Sequence, residues 1–327
     1  MEMHFSNRHN LPISMSVFLV SDDYDGHTKD PHTISATSLL KSTRQIVLYR
    51  RLPDNLITDV SDKITSRLGQ AYHKAVEDAW KNNPQEALRK LRYPKRMINN
   101  IVVNPTDQYV KDNPDCLPIY LEQRESKKLG KWTITGQYDF IILGVLEDIK
   151  STSVFSYINQ LNVAKYKKQG SIYKWLNPTK ITEDYMNINY IFTDWSAGRA
   201  RSSSNYPPLK LQVQKIPLLE IKETEQFIKN KLRDIENNLD KPEEEIPYCS
   251  DDDLWRKEDV YKYFSKPTNK SSSKNFSNKF EAQEHLMQKG TGEIRLVKGE
   301  VTACKYCAAF SICSQKDHLL ASGELKL

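Results

Sequence analysis

Asp139, Asp148 and Lys150 are the residues whose types and spacing could most readily do chemistry. Asp148 and Lys150 are two apart, and side chains two apart on a strand share a face. Glu147 and Ile149 then point the other way. Leu143 and Gly144 read as a tight turn between two short strands, so Asp139 on the first can face the pair on the second. Two carboxylates converging beside an ammonium can hold a divalent cation and stabilise charge on a phosphate during its transfer.

A histidine upstream could join them. Leu68, Tyr72, Ala75, Val76, Ala79 and Trp80 recur at helical spacing, which predicts an amphipathic helix with Ser61 or Asp62 as its N-cap. Gly69, His73 and Glu77 are spaced by four and form a line beside that apolar stripe. Downstream, residues 154–169 read as one helix carrying Gln160, Tyr166, Lys167 and Lys168.

The order Gly69-x-x-x-His73, Asp139, Asp148-Ile149-Lys150, Gln160 resembles the PD-(D/E)xK nuclease superfamily, in the RecB-like branch that includes Cas4-type and AddB-type nucleases. The resemblance implies an α/β (α+β) restriction-endonuclease-like core, a central mixed sheet flanked by helices. It assigns His73, Asp139, Asp148 and the carbonyl of Ile149 to Mg2+ or Mn2+. Lys150 would orient water or stabilise the transition state, Gln160 would complete the catalytic set, and Glu77 and Tyr166 would be auxiliary. The branch carries a tyrosine one turn after the glutamine. Here Ala164 stands at that position, and Tyr166 lies well round a continuous helix from Gln160.

The cysteines give a second signal. Five occur, and Cys304, Cys307 and Cys313 form a C-x2-C-x5-C near the C-terminus. Thiolates at this spacing suit soft-metal ligation. An odd number of cysteines and no secretion signal speak against disulfides. The resemblance implies a [4Fe–4S] cluster, with Zn2+ as the alternative, and a fourth cysteine placed early in the chain. Ser42 or Thr43 stands where that thiol is expected, so Cys249 becomes the leading fourth ligand, with Cys116 in reserve. A Pro-x-Cys followed by an acidic run and Trp255, then the trio, is similar to RecB-like nucleases of tailed phages.

Composition bounds these expectations. The chain has 327 residues, 38% hydrophobic and 28% charged, enough for one elaborated domain or two small ones. The division expected is 1–240 for the nuclease core and 241–327 for a cysteine-stapled segment. A net charge of +6 permits nucleic-acid binding. Arg44, Arg51, Lys167, Lys168, Arg199 and Arg201 are candidate phosphate contacts among interleaved aromatic residues. No stretch has the length and apolarity of a membrane span, and a cytoplasmic location, the host's if phage-encoded, is the expectation. Motor activity would have to come from a partner such as a helicase, because no G-x-x-x-x-G-K-[ST] motif is present. A single-strand annealing protein is the other expected partner.

The element order expected is a strand over residues 11–20, helices at 36–51, 57–82 and 84–92, and an irregular stretch to 128 holding a strand at 117–122. The acidic hairpin comes next at 131–152, then the helix, strands at 186–195 and 209–217 around a loop, a helix at 218–239, and a polar tip at 266–280. The function these readings favour is a metal-dependent DNA nuclease, with exonuclease action in recombination, repair or processing. The alternative is a non-catalytic DNA-binding module that keeps the fold and its structural metal.

Overall fold

A computed structural model describes residues 4–21, 30–53 and 57–327. The chain divides into two compact units, Met1–Leu40 with Asp54–Asn230 and Lys41–Pro53 with Lys231–Leu327. Residues 41–53 therefore group with the C-terminal segment, not with the rest of the expected 1–240 core. The cause is local: the buried Arg44 guanidinium donates to the carbonyls of Glu243 and Ile246 and to Ser314 Oγ.

The first unit is built on a six-stranded mixed sheet. Its strands, in chain order, are β1 (Ile101–Val103), β2 (Leu117–Leu121), β3 (Phe140–Ile142), β4 (Val145–Thr152), β5 (Tyr185–Phe192) and β6 (Leu211–Pro217). They lie side by side as β6-β5-β4-β3-β2-β1. The pairs β1/β2 and β4/β5 are parallel, and β2/β3, β3/β4 and β5/β6 are antiparallel. Helices flank this sheet, as the α+β expectation required. Alternation along β5 buries Met186, Ile188, Tyr190 and Phe192 in turn, the two-residue period of a pleated strand.

One core cluster does most to position the site. Ile149 of β4 packs with Leu88, Ile98, Ile101, Ile119, Leu121 and Phe140, and Val76 and Trp80 of the helix Ile64–Asn82 close over them. These two contacts fix the rotation of the helix and so aim His73, whereas Leu68, Tyr72, Ala75 and Ala79 of the expected apolar stripe are exposed. Gly69 does not mark a tight approach, since a Cβ there would meet Ser151 Oγ at an ordinary 3.5 Å.

Several elements differ from the sequence reading. Ile13–Val20 is a helix rather than a strand; an apolar run this short has no distinctive period. The 57–82 segment begins with a strand, Ile57–Asp59, before its helix. The stretch to 128 is ordered, with helices Lys95–Asn100 and Asp107–Asp112 and the strand Arg124–Leu129. The loop after β5 contains the helix Ala197–Ser202, capped by Ser196. The predicted helix over 154–169 is two helices, Val154–Ile158 and Val163–Leu176, broken where Gln160 takes a left-handed φ of 54°.

In the second unit the helix Thr43–Tyr49 opens with a reciprocal capping box between Ser42 and Gln45. Two small apolar clusters form its core, one around Val47, Leu48, Ile246 and Ala309 and the other around Leu254, Val301, Leu319 and Leu325. The unit also holds a three-stranded antiparallel sheet of β7 (Val260–Phe264), β8 (Lys274–Phe276) and β9 (Glu293–Val297), with β7 central. Among the described residues no helix is long and apolar enough to cross a membrane.

Candidate metal centre and cysteine cavity

The turn Leu143-Gly144 lets β3 run back along β4, but β3 is short. Its last pair with β4 is Phe140 opposite Glu147, and its last pair with β2 is Phe140 opposite Leu121. Beyond those pairs β4 parts from β3, while β2 and β3 stay linked, with Tyr138 N–H still donating to the Gln123 carbonyl at 3.4 Å; the residues at this break in the ladder are Asp139 and Glu122. Glu122 N–H donates to the Asp139 carbonyl at 2.9 Å, which holds both acids at one spot. The backbone of Ile149, no longer paired to β3, is met by side chains instead. Its N–H donates to Asp139 Oδ2 at 2.8 Å, and its carbonyl lies 3.1 Å from His73 Nε2.

His73 thus faces two ways. Nε2 meets the Ile149 carbonyl, while Nδ1 lies 3.2 Å from Asp139 Oδ2 and 3.7 Å from Glu122 Oε1. Among the described residues, His73, Glu122 and Asp139 form a group whose ligand atoms all lie within 4.8 Å of one another. Glu122 Oε1 is buried without a hydrogen-bond partner, although Gln137 Nε2 donates to Oε2 at 2.9 Å. Burying a bare carboxylate oxygen is unfavourable. One imidazole nitrogen and two carboxylates, one with an unused buried oxygen, fit a small divalent cation.

Asp148 and Lys150 share a face of β4, as their spacing required, with Lys150 Nζ 2.6 Å from Asp148 Oδ2. Asp148 is 1% exposed. Burial pushes its carboxyl up to about 6; Lys150 opposes the rise and the charge of Asp139 adds to it. Burial also works against the Lys150 ammonium, but Asp148 and Asp139 outweigh it and raise its pKa. For His73, burial is again outweighed: the adjoining carboxylates of Asp139 and Glu122, with the charge of Asp148 adding, push the imidazole up to about 10. Without a metal, His73 therefore carries a proton between the acids, and a cation binding there displaces it.

The other expected residues scatter. Tyr166 does reach the site, with its ring centre 5.5 Å from Lys150 Nζ. The break puts Gln160 in the turn ahead of the helix that carries Tyr166, so counting along one helix misplaces the tyrosine. Gln160 itself accepts from Gln214 Nε2 and donates to the Tyr157 carbonyl, away from the acids. The Glu77 carboxylate pairs with Lys74 and Lys81 along its own helix. The Ile149 carbonyl faces the imidazole.

Of the proposed phosphate contacts, Lys168, Arg199 and Arg201 are exposed and Lys167 is half-buried. Arg44 is 1% exposed and pairs with Glu243, which leaves it no phosphate to meet. Arg51 donates to the carbonyls of Leu239 and Lys241. Glu122 went unnoticed in the sequence because no local motif marks it; its position at the end of a strand beside an acid-bearing hairpin was the available signal.

In the second unit, Cys249, Cys304, Cys307 and Cys313 line one cavity together with Arg44, Gln45 and Gln315. All five cysteines are free thiols, and Cys116 lies in the first unit, just before β2. Gln315 clamps Cys249, accepting from its N–H at 2.8 Å and donating to its carbonyl at 3.0 Å. Arg44 Nε donates to Cys313 Sγ at 3.3 Å, and Ser42 Oγ lies 3.1 Å from Cys249 Sγ. Burial, with the neighbouring Cys307, Cys313 and Cys249 adding, pushes the Cys304 thiol up to about 11. Four thiols lining one cavity, with the Arg44 guanidinium donating to one sulfur and the Ser42 hydroxyl beside another, fit a thiolate-bound metal or cluster.

The solved structures similar to this chain include the following two. A crystal structure of SSO0001 is 17% identical with a TM-score of 0.40, covering 68% of this chain and 86% of that one. A phage-related exonuclease from Haemophilus somnus 129PT is 11% identical with a TM-score of 0.27, covering 62% of this chain and 90% of that one. No family model matches the chain, and no curated protein does. Both structural similarities are loose, and a functional reading rests on the geometry of the site itself.

Proposed function

We propose that this chain is a Mg2+- or Mn2+-dependent nuclease that hydrolyses phosphodiester bonds in DNA. The observation that carries the reading is the convergence of His73, Glu122 and Asp139 at the end of the β2–β3 ladder, beside the buried Asp148–Lys150 pair. His73 through Nδ1, Glu122, Asp139 and Asp148 would hold the cation. When bound, it supplies Lewis acidity toward the scissile phosphate and a nucleophilic water at neutral pH.

The chain's own groups do the rest. Asp139 is fixed by the Ile149 N–H and His73 by the Ile149 carbonyl, so one residue's backbone sets two ligands. Lys150, held charged by Asp148, can neutralise the charge that builds on the phosphate as water bonds to phosphorus and a sugar oxygen leaves. The Tyr166 ring faces the ammonium and restricts where it can turn. Exonuclease action in recombination, repair or processing, in a phage setting, is the role the motif resemblance implies. Cys249, Cys304, Cys307 and Cys313 would hold a [4Fe–4S] cluster, with Zn2+ as the alternative, and so staple the C-terminal segment, to which Ser42 and Arg44 are linked through two of the sulfurs.

Cleavage of end-labelled linear single- and double-stranded DNA with Mg2+ or Mn2+ tests the reading, using anaerobically purified wild type beside Asp148→Ala. Metal-dependent cleavage lost in the variant is expected. DNA binding without cleavage by either protein would replace the nuclease with a binding module.

A further inference from the structure

We infer that the lobe from Val260 to Lys298 is a binding surface for single-stranded DNA. This deepens the nuclease reading, on which it rests, by giving the form in which substrate is held. The lobe contains eight Lys or Arg against three Asp or Glu, which is five of the chain's net six positive charges. The remainder of the chain is thus almost neutral, and its positive field is concentrated in this one small sheet with its helix, Lys279–Lys289.

The lobe is built to leave those charges free. His285 of the helix packs edge-on to Tyr263 of β7 at 4.8 Å and against Phe276 of β8 at 5.2 Å, and Ala282 is fully buried. The small core is thereby closed by aromatic residues and not by ion pairs. Lys266, Lys270 and Lys274 succeed one another at intervals of four from the end of β7 to the first residue of β8, all exposed. Among the described residues these three, with Lys279 and Lys289, form no ion pair, whereas Arg295 is held by Glu293 and Lys298 by Asp259. Burial, then the charges of Lys274 and Lys289, lowers the pKa of His285, which places both lysines in one local field.

Aromatic surface accompanies the cations. Phe280, next to Lys279, is 76% exposed, and Lys274 Nζ stands 5.0 Å from the Phe276 ring centre. A polyanion alone needs only the lysines. A ligand that uses an exposed ring as well must present flat apolar faces between its phosphates, which an unpaired strand does and a duplex does not.

The test is fluorescence anisotropy of a labelled oligothymidylate with the full chain, in an Asp148→Asn background and with EDTA so that no cleavage occurs. Lys266→Gln, Lys270→Gln and Lys274→Gln combined should weaken binding at least about tenfold at low salt. The combined variant should also reduce the slope of log affinity against log salt by about 2, the loss of three phosphate contacts on a single strand. Phe280→Ala should weaken binding with the salt slope unchanged. Melting curves matching the parent identify variants that keep the fold, and the exposed Phe280 gives a second route if the lysine variant does not.

Unchanged affinity in both variants would overturn the inference. So would equal competition by polyglutamate, or binding of the matching duplex as tight as that of the single strand. Absence of cleavage by the wild type would remove the nuclease reading while leaving this binding result to stand or fall separately.

Discussion

Ser42 Oγ and Cys249 Sγ lie 3.1 Å apart across 207 residues of chain. The hydroxyl occupies the place beside the cavity where the early sequence segment lacks a thiol, and Cys249 reaches the same spot from the C-terminal side. The two positions should therefore be interchangeable as a fourth sulfur. Cys249→Ser is expected to lose most of its bound iron or zinc, and Ser42→Cys in that background to regain it. Metal content per chain after anaerobic purification reads the outcome, and visible absorption separates a cluster from zinc. A double variant no better than Cys249→Ser would leave Ser42 as a hydrogen-bond donor only.

Glu122 should matter as much as the acids that the sequence announced. Its Oε1 is buried and has no hydrogen-bond partner, so its role is met only when a cation arrives. Glu122→Gln keeps the size and can still meet Gln137, yet it removes the charge. The concentration of Mn2+ giving half-maximal cleavage should rise at least about tenfold, because even groups one layer further from a metal have effects of that order. Titration calorimetry of Mn2+ onto the metal-free variant should show the same loss without DNA present. Wild-type affinity in both experiments would exclude Glu122 from the centre.

What the sequence made legible was local and periodic. The face shared by Asp148 and Lys150 comes from a two-residue repeat, and the place of His73 beside Val76 and Trp80 comes from a helical one. The cysteine trio is legible for the same reason, being contiguous. Glu122 was hidden because its partnership depends on the Leu121–Phe140 pairing, a tertiary fact. Arg44 looked like a surface cation within a basic cluster, but helix Thr43–Tyr49 turns it inward to Glu243 and the Cys313 sulfur. Tyr166 was discounted by counting along one helix, which the left-handed Gln160 interrupts.

The charge on Asp148 should act against stability at high pH and for catalysis, with Lys150 needed for catalysis. Burial raises the Asp148 pKa from 3.8 to about 6, so the folded metal-free protein favours the protonated acid. That contribution to stability is fully present below the unfolded pKa and is lost as pH rises through about 6. Asp148→Asn is neutral at every pH. Without metal, its melting temperature relative to wild type should rise by a few degrees between pH about 4 and pH about 8, on top of a pH-independent cost of leaving the Lys150 ammonium without its partner, while its cleavage is abolished. Lys150→Ala should lower the cleavage rate by about two to three orders of magnitude and leave DNA binding in place. Melting curves with EDTA across this range would refute the first part if the gap were independent of pH.

The turn that carries the acidic hairpin makes the same demand on two neighbouring residues, which only one of them meets. Leu143 and Gly144 both have positive φ, 50° and 82°, the mirror-image geometry preferred in two-residue hairpins. Glycine meets that demand, and a Cβ at Gly144 would also run into Thr182 Oγ1. Thr182 and Glu183 both donate N–H groups to the Gly144 carbonyl, so the collision has little room to relax. Gly144→Ala should destabilise the fold by about 1–3 kcal/mol. Leucine at the preceding position carries backbone strain that asparagine tolerates better, and its side chain is 43% exposed. Leu143→Asn should therefore stabilise by about 0.5–1 kcal/mol. Urea midpoints with unchanged slopes would measure both effects. Because the turn sets the register that brings Asp139 to the Ile149 N–H, Gly144→Ala should also lower cleavage more than its folded fraction explains. Equal midpoints for the two variants would contradict the turn geometry on which the site depends.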